Sequence, residues 1–422
     1  MKKLLFAEKA FTVLSLIHYS GAPLVLILTG GASEGDESGG GGDFFLIQLL
    51  FFVIYLITFI LLVLRWKKVI QVIPKSKLIW LLLALAVLSF FWSDKPAITQ
   101  VRIIALIGTL MFPLYLASRY SLKEQLELLA WAFGIAIISS IFLIVAVRSY
   151  GRMGGIHFGS WRGIYNHKNV LGKVMVPSAI VFFLLALKAK KHTWILWCGF
   201  VLSLILIKQS NSSTALVNVL ILFIELWLLR IVRWRYHLMM PALMGLSIIT
   251  IIAYILLTTN AAAIAGALGK DLTLSGRTNF WPLVLDKIWE RPLLGYGFGA
   301  FWWGFQGQSA YIWYAISFKA PNSHNGYLDL CLELGFVGLS IYLMEYIRIF
   351  WKSLVYIRKV KTSEGFWPIM YLTYIVLCNL TESTLIIQNN FFFVLQVAIF
   401  LSIHIPQRSG NMLISGDNGK NQ

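Results

Sequence analysis

Three short polar clusters hold the residues able to do chemistry. The run Ser160-Trp161-Arg162-Gly163-Ile164-Tyr165-Asn166-His167-Lys168-Asn169 places five groups that can bond an anion or a hydroxyl within ten residues. Ser275-Gly276-Arg277-Thr278 and Asn322-Ser323-His324-Asn325 are the other two. Each stands where a helix is predicted to begin, and a helix start offers free N–H groups and the positive end of the dipole. Three such starts on one face would suit a diphosphate. His324 fits a general base, because a helix N-terminus near arginines favours the neutral imidazole that takes a hydroxyl proton. The plain alternative is that His324 and Asn325 only cap the helix. His167, Lys168 and Asn169 read as a ligand-binding group, with Arg152 and Ser275 beside the two basic clusters. Glu382 sits near the end of a predicted span, where a carboxylate is costly and tends to be functional or paired with arginine.

The elements that must position these residues are membrane helices. Of 422 residues, 58% are hydrophobic and only 13% charged, about half the charge of an ordinary soluble chain. Apolar runs near the length of a bilayer crossing recur throughout. The expected fold is all-α, a polytopic transmembrane helical bundle forming one integral membrane domain over 1–422. About twelve spans are predicted, near 10–30, 44–64, 78–93, 101–118, 127–147, 171–188, 193–208, 214–230, 239–257, 326–348, 366–384 and 389–405. Residues 32–43 read as a flexible Gly-rich connector. The long polar stretch 258–325 is far larger than a turn between spans requires. Its segment 279–290 has helical amphipathic spacing, with Phe280, Trp281, Val284, Leu285, Ile288 and Trp289 on one stripe and Thr278 as its N-cap.

An even span count puts both termini on one side. Taking that side as cytoplasmic assigns it 23 of the 36 Lys and Arg residues, as the positive-inside rule expects. The loops 148–170 and 258–325 then face outward, and their remaining cations suggest an anionic ligand. The same distribution makes nucleic acid a poor explanation of the +18 net charge. Three scattered cysteines form neither a disulfide framework nor a metal site. No Asp-x-Asp, His-Glu-x-x-His or Walker loop occurs, so no metal and no cofactor is expected. Gly295-Tyr-Gly297-Phe-Gly-Ala300 matches a dinucleotide fingerprint only formally, since no βαβ unit surrounds it. Asn379-Leu-Thr matches a glycosylation sequon. A transporter or flippase is the rival class, but no repeated halves with polar mid-membrane helices are visible.

Taken in order, Ser-Gly-Arg-x-x-x-Trp (275–281), Pro-Leu-Leu-Gly-Tyr-Gly (292–297), Ser-His-Asn-x-Tyr-Leu (323–328) and Glu333-Leu-Gly335 resemble the O-antigen ligase and polysaccharide polymerase family. Trp161-Arg162-Gly163 with His167-Lys168-Asn169 is most similar to its exopolysaccharide polymerase branch. The resemblance implies a lipid-dependent glycosyltransferase architecture of the GT-C-like kind in the bacterial plasma membrane, working on the extracytoplasmic face without metal. It implies a glycan on undecaprenyl diphosphate as donor and a glycan acceptor, with a chain-length regulator and export proteins as further partners. By motif position, His324 would be the base, with Arg277 and Arg162 binding the diphosphate and Arg152 and Lys168 assisting. A direct displacement would invert the anomeric centre. A ligase transferring glycan to lipid A core or protein would use much the same residues.

Overall fold

A computed structural model describes residues 2–28, 45–235, 237–240, 277–305, 307–316 and 319–403. The 32–43 connector, Ser275 and nearly all of the predicted span 239–257 lie outside the described residues, and Arg277 and Thr278 are placed by backbone. Every regular element described is helical: α1 Lys2–Tyr19, α2 Phe45–Leu64, α3 Trp66–Trp92, α4 Pro96–Arg119, α5 Leu122–Ala146, α6 Lys168–Ala186, α7 Thr193–Gln209, α8 Ser213–Leu229, α9 Arg277–Glu290, α10 Ser309–Ile316, α11 Gly326–Lys359, α12 Trp367–Asn379 and α13 Phe391–Ser402. Seven of these, α2 to α6, α8 and α11, are long and apolar enough to cross a bilayer. The most apolar is α2, with a mean hydropathy of 2.9, yet only 22% of it is buried. An outward surface of Phe52, Leu56, Phe59 and Ile60 requires an apolar surrounding, which makes this a multi-pass membrane protein.

Charges collect at the ends of the bundle. At one end Glu8 accepts from Arg65 at 2.6 Å and Arg119 at 3.3 Å. At the same end Arg233 donates to the carbonyls of Val360, Lys361 and Thr362, and Lys188 meets Glu364 at 2.9 Å. Burial alone would raise the Glu364 carboxyl, but the hydrogen bond and charge of Lys188 hold it below its usual range. The other end carries the 160–169 and 322–325 clusters and the start of α9.

Two departures from a simple bundle shape that second end. α1 stops at Tyr19 instead of continuing to 30, and only a short helix Leu24–Leu28 follows. The predicted spans 366–384 and 389–405 are also cut short, because 380–390 is a non-helical segment folded inward. Its Thr384, Leu385 and Ile386 are buried. Non-helical backbone at such depth must find internal partners. Asn379 exchanges bonds with Thr384 at 2.8 Å in both directions, and Thr109 accepts from the Asn389 N–H at 2.8 Å. Asn379 is thereby wholly buried, which removes it as a glycosylation acceptor.

α11 is broken at Gly335, where φ is 64° and ψ −170°. A break inside a span frees backbone groups, and the segment 292–297 supplies them. Tyr296 and Gly297 donate to the carbonyls of Leu332 (2.8 Å) and Glu333 (3.0 Å), while Phe336 and Val337 donate to those of Pro292 (2.7 Å) and Leu293 (3.2 Å). The same segment then crosses to the α3–α4 turn, where Asp94 donates to the Tyr296 carbonyl and Phe298 to Ser89 Oγ. The glycine motif is thus a splint for a broken helix, consistent with a tight turn and not with nucleotide binding.

Candidate functional site

His324 stands at the head of α11 in a turn fixed from three directions. Asn325 is the N-cap, its Oδ1 accepting from Tyr327 at 3.0 Å and Leu328 at 3.3 Å. The cap role in the plain alternative therefore falls to Asn325, and His324 precedes it with φ 52°. Left-handed backbone at a non-glycine residue is uncommon, and it gathers at functional sites. The His324 N–H donates to Asn322 Oδ1 at 2.9 Å, which holds the turn in that conformation.

Asp329, one turn into α11, organises the rest. Its buried carboxylate accepts from the Ser323 N–H at 3.0 Å, from Trp302 Nε1 at 2.8 Å and from Ser383 Oγ. A carboxylate in the first turn is also favoured by the helix dipole. Trp302 follows the glycine motif 295–300 and Ser383 lies in the inward segment 380–390, so one side chain gathers three parts of the sequence.

α9 joins through Trp281, whose Nε1 donates to the Ser323 carbonyl at 3.0 Å. This bond ties the arginine motif to the histidine motif. Arg277 lies one turn before Trp281, in register with it on the helix. The helix already includes Thr278, so that residue is not its N-cap. Only part of the predicted apolar stripe packs inward: Phe280, Val284 and Ile288 are buried with Tyr296, Phe301 and Leu332, while Leu285 and Trp289 are exposed. The C-terminal end of α9 is pinned by Tyr296, whose hydroxyl donates to the Lys287 carbonyl at 2.8 Å and to Glu290 at 3.0 Å. Arg291 there pairs with Asp94 at 2.6 Å.

The early basic cluster reaches this site through α6. Lys173 Nζ donates to Glu382 Oε2 at 3.0 Å, both side chains being largely buried. The Glu382 carbonyl accepts from the Gly326 N–H at 3.2 Å, next to the α11 cap. Glu382 is therefore paired, with a lysine as its partner. The clusters that the sequence separates by over a hundred residues meet through α6 and the segment 380–390.

The remaining predicted residues surround the head of α6. His167 is its N-cap, Nδ1 accepting from the Asn169 N–H at 3.1 Å. Lys168 donates to the Asn211 carbonyl at 3.2 Å, and Asn211 to Ser160 Oγ at 3.1 Å. Arg152 bridges to Trp161 through backbone. Arg162 is fully buried, its Nε donating to the Tyr150 carbonyl at 2.8 Å and a terminal nitrogen to that of Ser149 at 3.0 Å. That place differs from the open one expected of a phosphate ligand: its fork ties down the carbonyls of the turn after α5. Among the described residues no group of three His, Cys, Asp or Glu is placed to hold a metal ion.

In the sequence Asp329 is an acid inside a predicted span, five residues after His324. Trp302 and Ser383 do not stand out in the sequence as site residues, whereas Lys173 counts among the outward cations that suggest an anionic ligand. A signal for Ser383 exists, the polar run Thr381-Glu382-Ser383-Thr384 inside apolar sequence.

Residues 198–343 match the family model described as O-antigen ligase. The exopolysaccharide production protein ExoQ of Rhizobium meliloti (strain 1021) is 32% identical over 94 residues. A second relative, titled "Putative polysaccharide ligase", from Rickettsia prowazekii (strain Madrid E), is 35% identical over 91 residues. The matched stretch spans 22% of the length of each relative, and 22% and 21% of this chain.

Proposed function

We propose that this multi-pass membrane protein, which carries an O-antigen ligase domain over residues 198–343, polymerises lipid-diphosphate-linked oligosaccharide repeat units. The observation that carries this reading is the turn at the head of α11, where Asp329, Asn322 and Trp281 fix the backbone around His324. His324 takes the proton of an acceptor hydroxyl, and that oxygen attacks the anomeric carbon of the donor sugar. The sugar–phosphate bond breaks, and the diphosphate leaves with the bonding electrons. A neutral base held at one point and cations held around it are what such a displacement needs.

Arg277 at the start of α9 is assigned to the leaving diphosphate, in register with the Trp281 anchor. Arg152 and Lys168 are assigned to extend that positive field, and Arg162 to support them by holding the 148–162 turn. We assign Asn169 and the Lys173–Glu382 pair to the wall of the same site. Single displacement inverts the anomeric centre. In this reading the chain makes about twelve spans with both termini cytoplasmic, this end faces the extracytoplasmic side of the plasma membrane, and the lipid-linked donor is an undecaprenyl diphosphate glycan. The match to an exopolysaccharide production protein favours polymerisation; the match to a protein titled as a polysaccharide ligase favours the second reading, transfer to another acceptor.

The deciding experiment supplies the purified chain with lipid-diphosphate-linked repeat units and no other acceptor. Polymerisation yields a ladder of lengthened glycans. Product that appears only after a second lipid or protein acceptor is added establishes the ligase reading.

Asp329 is a positioning residue in this scheme. Asp329→Ala removes the acceptor of the Ser323 and Trp302 N–H groups and leaves those donors unsatisfied. An unsatisfied buried donor costs about 1–3 kcal/mol, enough to lower turnover about 10- to 100-fold if it is taken from the geometry of His324. The fall is expected in kcat more than in KM, with the shape of the pH–rate profile retained. A fall matched entirely by loss of folded protein in a thermal melt would reduce Asp329 to a structural role.

A further inference from the structure

At the end of the bundle opposite His324, α5 and α7 stand apart over the floor of α6 and leave a groove of about 980 Å³. α5 alone, at 25 residues, separates the two ends by about 37 Å. The groove therefore lies outside the site described above and does not depend on the function proposed for it. Its walls are apolar, with Ile138, Phe182, Leu185 and Leu202 among them. Small residues keep it open. A Cβ on Gly199 would meet Phe182 Cδ1 at 2.7 Å, so α7 lies close on α6, and Gly134 on α5 leaves space above the same ring.

The rim is the α6–α7 turn, and it is cationic. Lys188 is paired with Glu364 and Lys123 with Glu127. Lys190, Lys191 and His192 follow on the same turn, all exposed, and no described carboxylate pairs with either lysine. An apolar slot open to hydrocarbon, under a rim of unneutralised positive charge, is complementary to one kind of molecule in a membrane. Acyl chains fill the slot and a phosphate meets the rim. A second copy of this chain fits poorly, because copies in one membrane share an orientation and would set like charges side by side.

We propose that this groove is a binding site for an anionic phospholipid of the bilayer, held by its phosphate at Lys190, Lys191 and His192. The test uses the full chain in detergent, presented with phosphatidylglycerol or with phosphatidylethanolamine of the same acyl chains, and reads retained lipid by native mass spectrometry. Phosphatidylglycerol is expected to be retained about tenfold better. Lys190→Gln with Lys191→Gln, both on the exposed turn, should bring its retention down to that of phosphatidylethanolamine. Gly134→Phe should exclude both lipids while the helical circular dichroism is unchanged. Inorganic phosphate alone should not displace the lipid. Equal retention of the two lipids, or undiminished phosphatidylglycerol on the double variant, overturns the proposal. So does a dimer that forms in both lipids and dissociates in Gly134→Phe.

Discussion

Replacing His324 by glycine is expected to leave the protein as stable as before, or more stable, while glycan transfer falls by about 10²- to 10⁴-fold. The two halves of this result have separate causes. The imidazole supplies the only base assigned to the acceptor hydroxyl, and removing it takes away general-base catalysis. The backbone at 324 has φ 52°, a conformation that costs an L-residue about 1–2 kcal/mol and glycine almost nothing. A melting temperature that holds or rises while product formation collapses would show a residue kept for its chemistry against its own backbone preference. His324→Ala should lose the same activity without the gain in stability. If either variant elongates glycans at the wild-type rate in membranes, His324 is not the base and the mechanism fails.

Gly335→Ala is expected to do the reverse, damaging the fold first. A Cβ at 335 would lie 2.1 Å from the Leu293 carbonyl oxygen, and the backbone there is in a region essentially reserved for glycine. Strain of about 1–3 kcal/mol adds to overpacking of about 1–3 kcal/mol. The 292–297 segment cannot retreat cheaply, because among the described residues it satisfies the backbone groups that the break exposes. The variant should show a sharply lowered melting temperature in detergent and new protease cleavage within 291–300. Gly304→Ala is the control: its φ is also positive, at 67°, but no atom lies within 4 Å of the added Cβ. It should lose only about 1–2 kcal/mol. Equal, small effects from both glycines would mean that the splint does not hold α11.

These two residues also show why parts of the molecule were legible and others were not. His324 stood out because histidine beside asparagine at a predicted helix start is a local pattern, and local patterns survive in one dimension. Gly335 was read only as part of a motif. Its role depends on a strand of backbone some forty residues earlier lying against it, and no periodicity encodes that approach. The same holds for the inward segment 380–390. Hydropathy averaged it into two continuous spans, because a buried Thr, Leu and Ile look alike whether their backbone is helical or not.

By itself the sequence determined the class and the ends. Apolar runs of membrane length, a charge asymmetry between loops and three polar clusters at helix starts are properties of composition and spacing, and hydrophobic burial makes them binding. Only the tertiary structure decided which clusters share a site. Asp329 draws Ser323, Trp302 and Ser383 together, Trp281 ties α9 to the histidine turn, and Lys173 on α6 meets Glu382 of the segment 380–390. It also showed that Arg162, expected to bind the diphosphate, is buried with its fork on backbone carbonyls. The physical reason is that a polar group inside a membrane bundle must find its partner within the protein, and which partner is near is fixed by helix packing rather than by order along the chain.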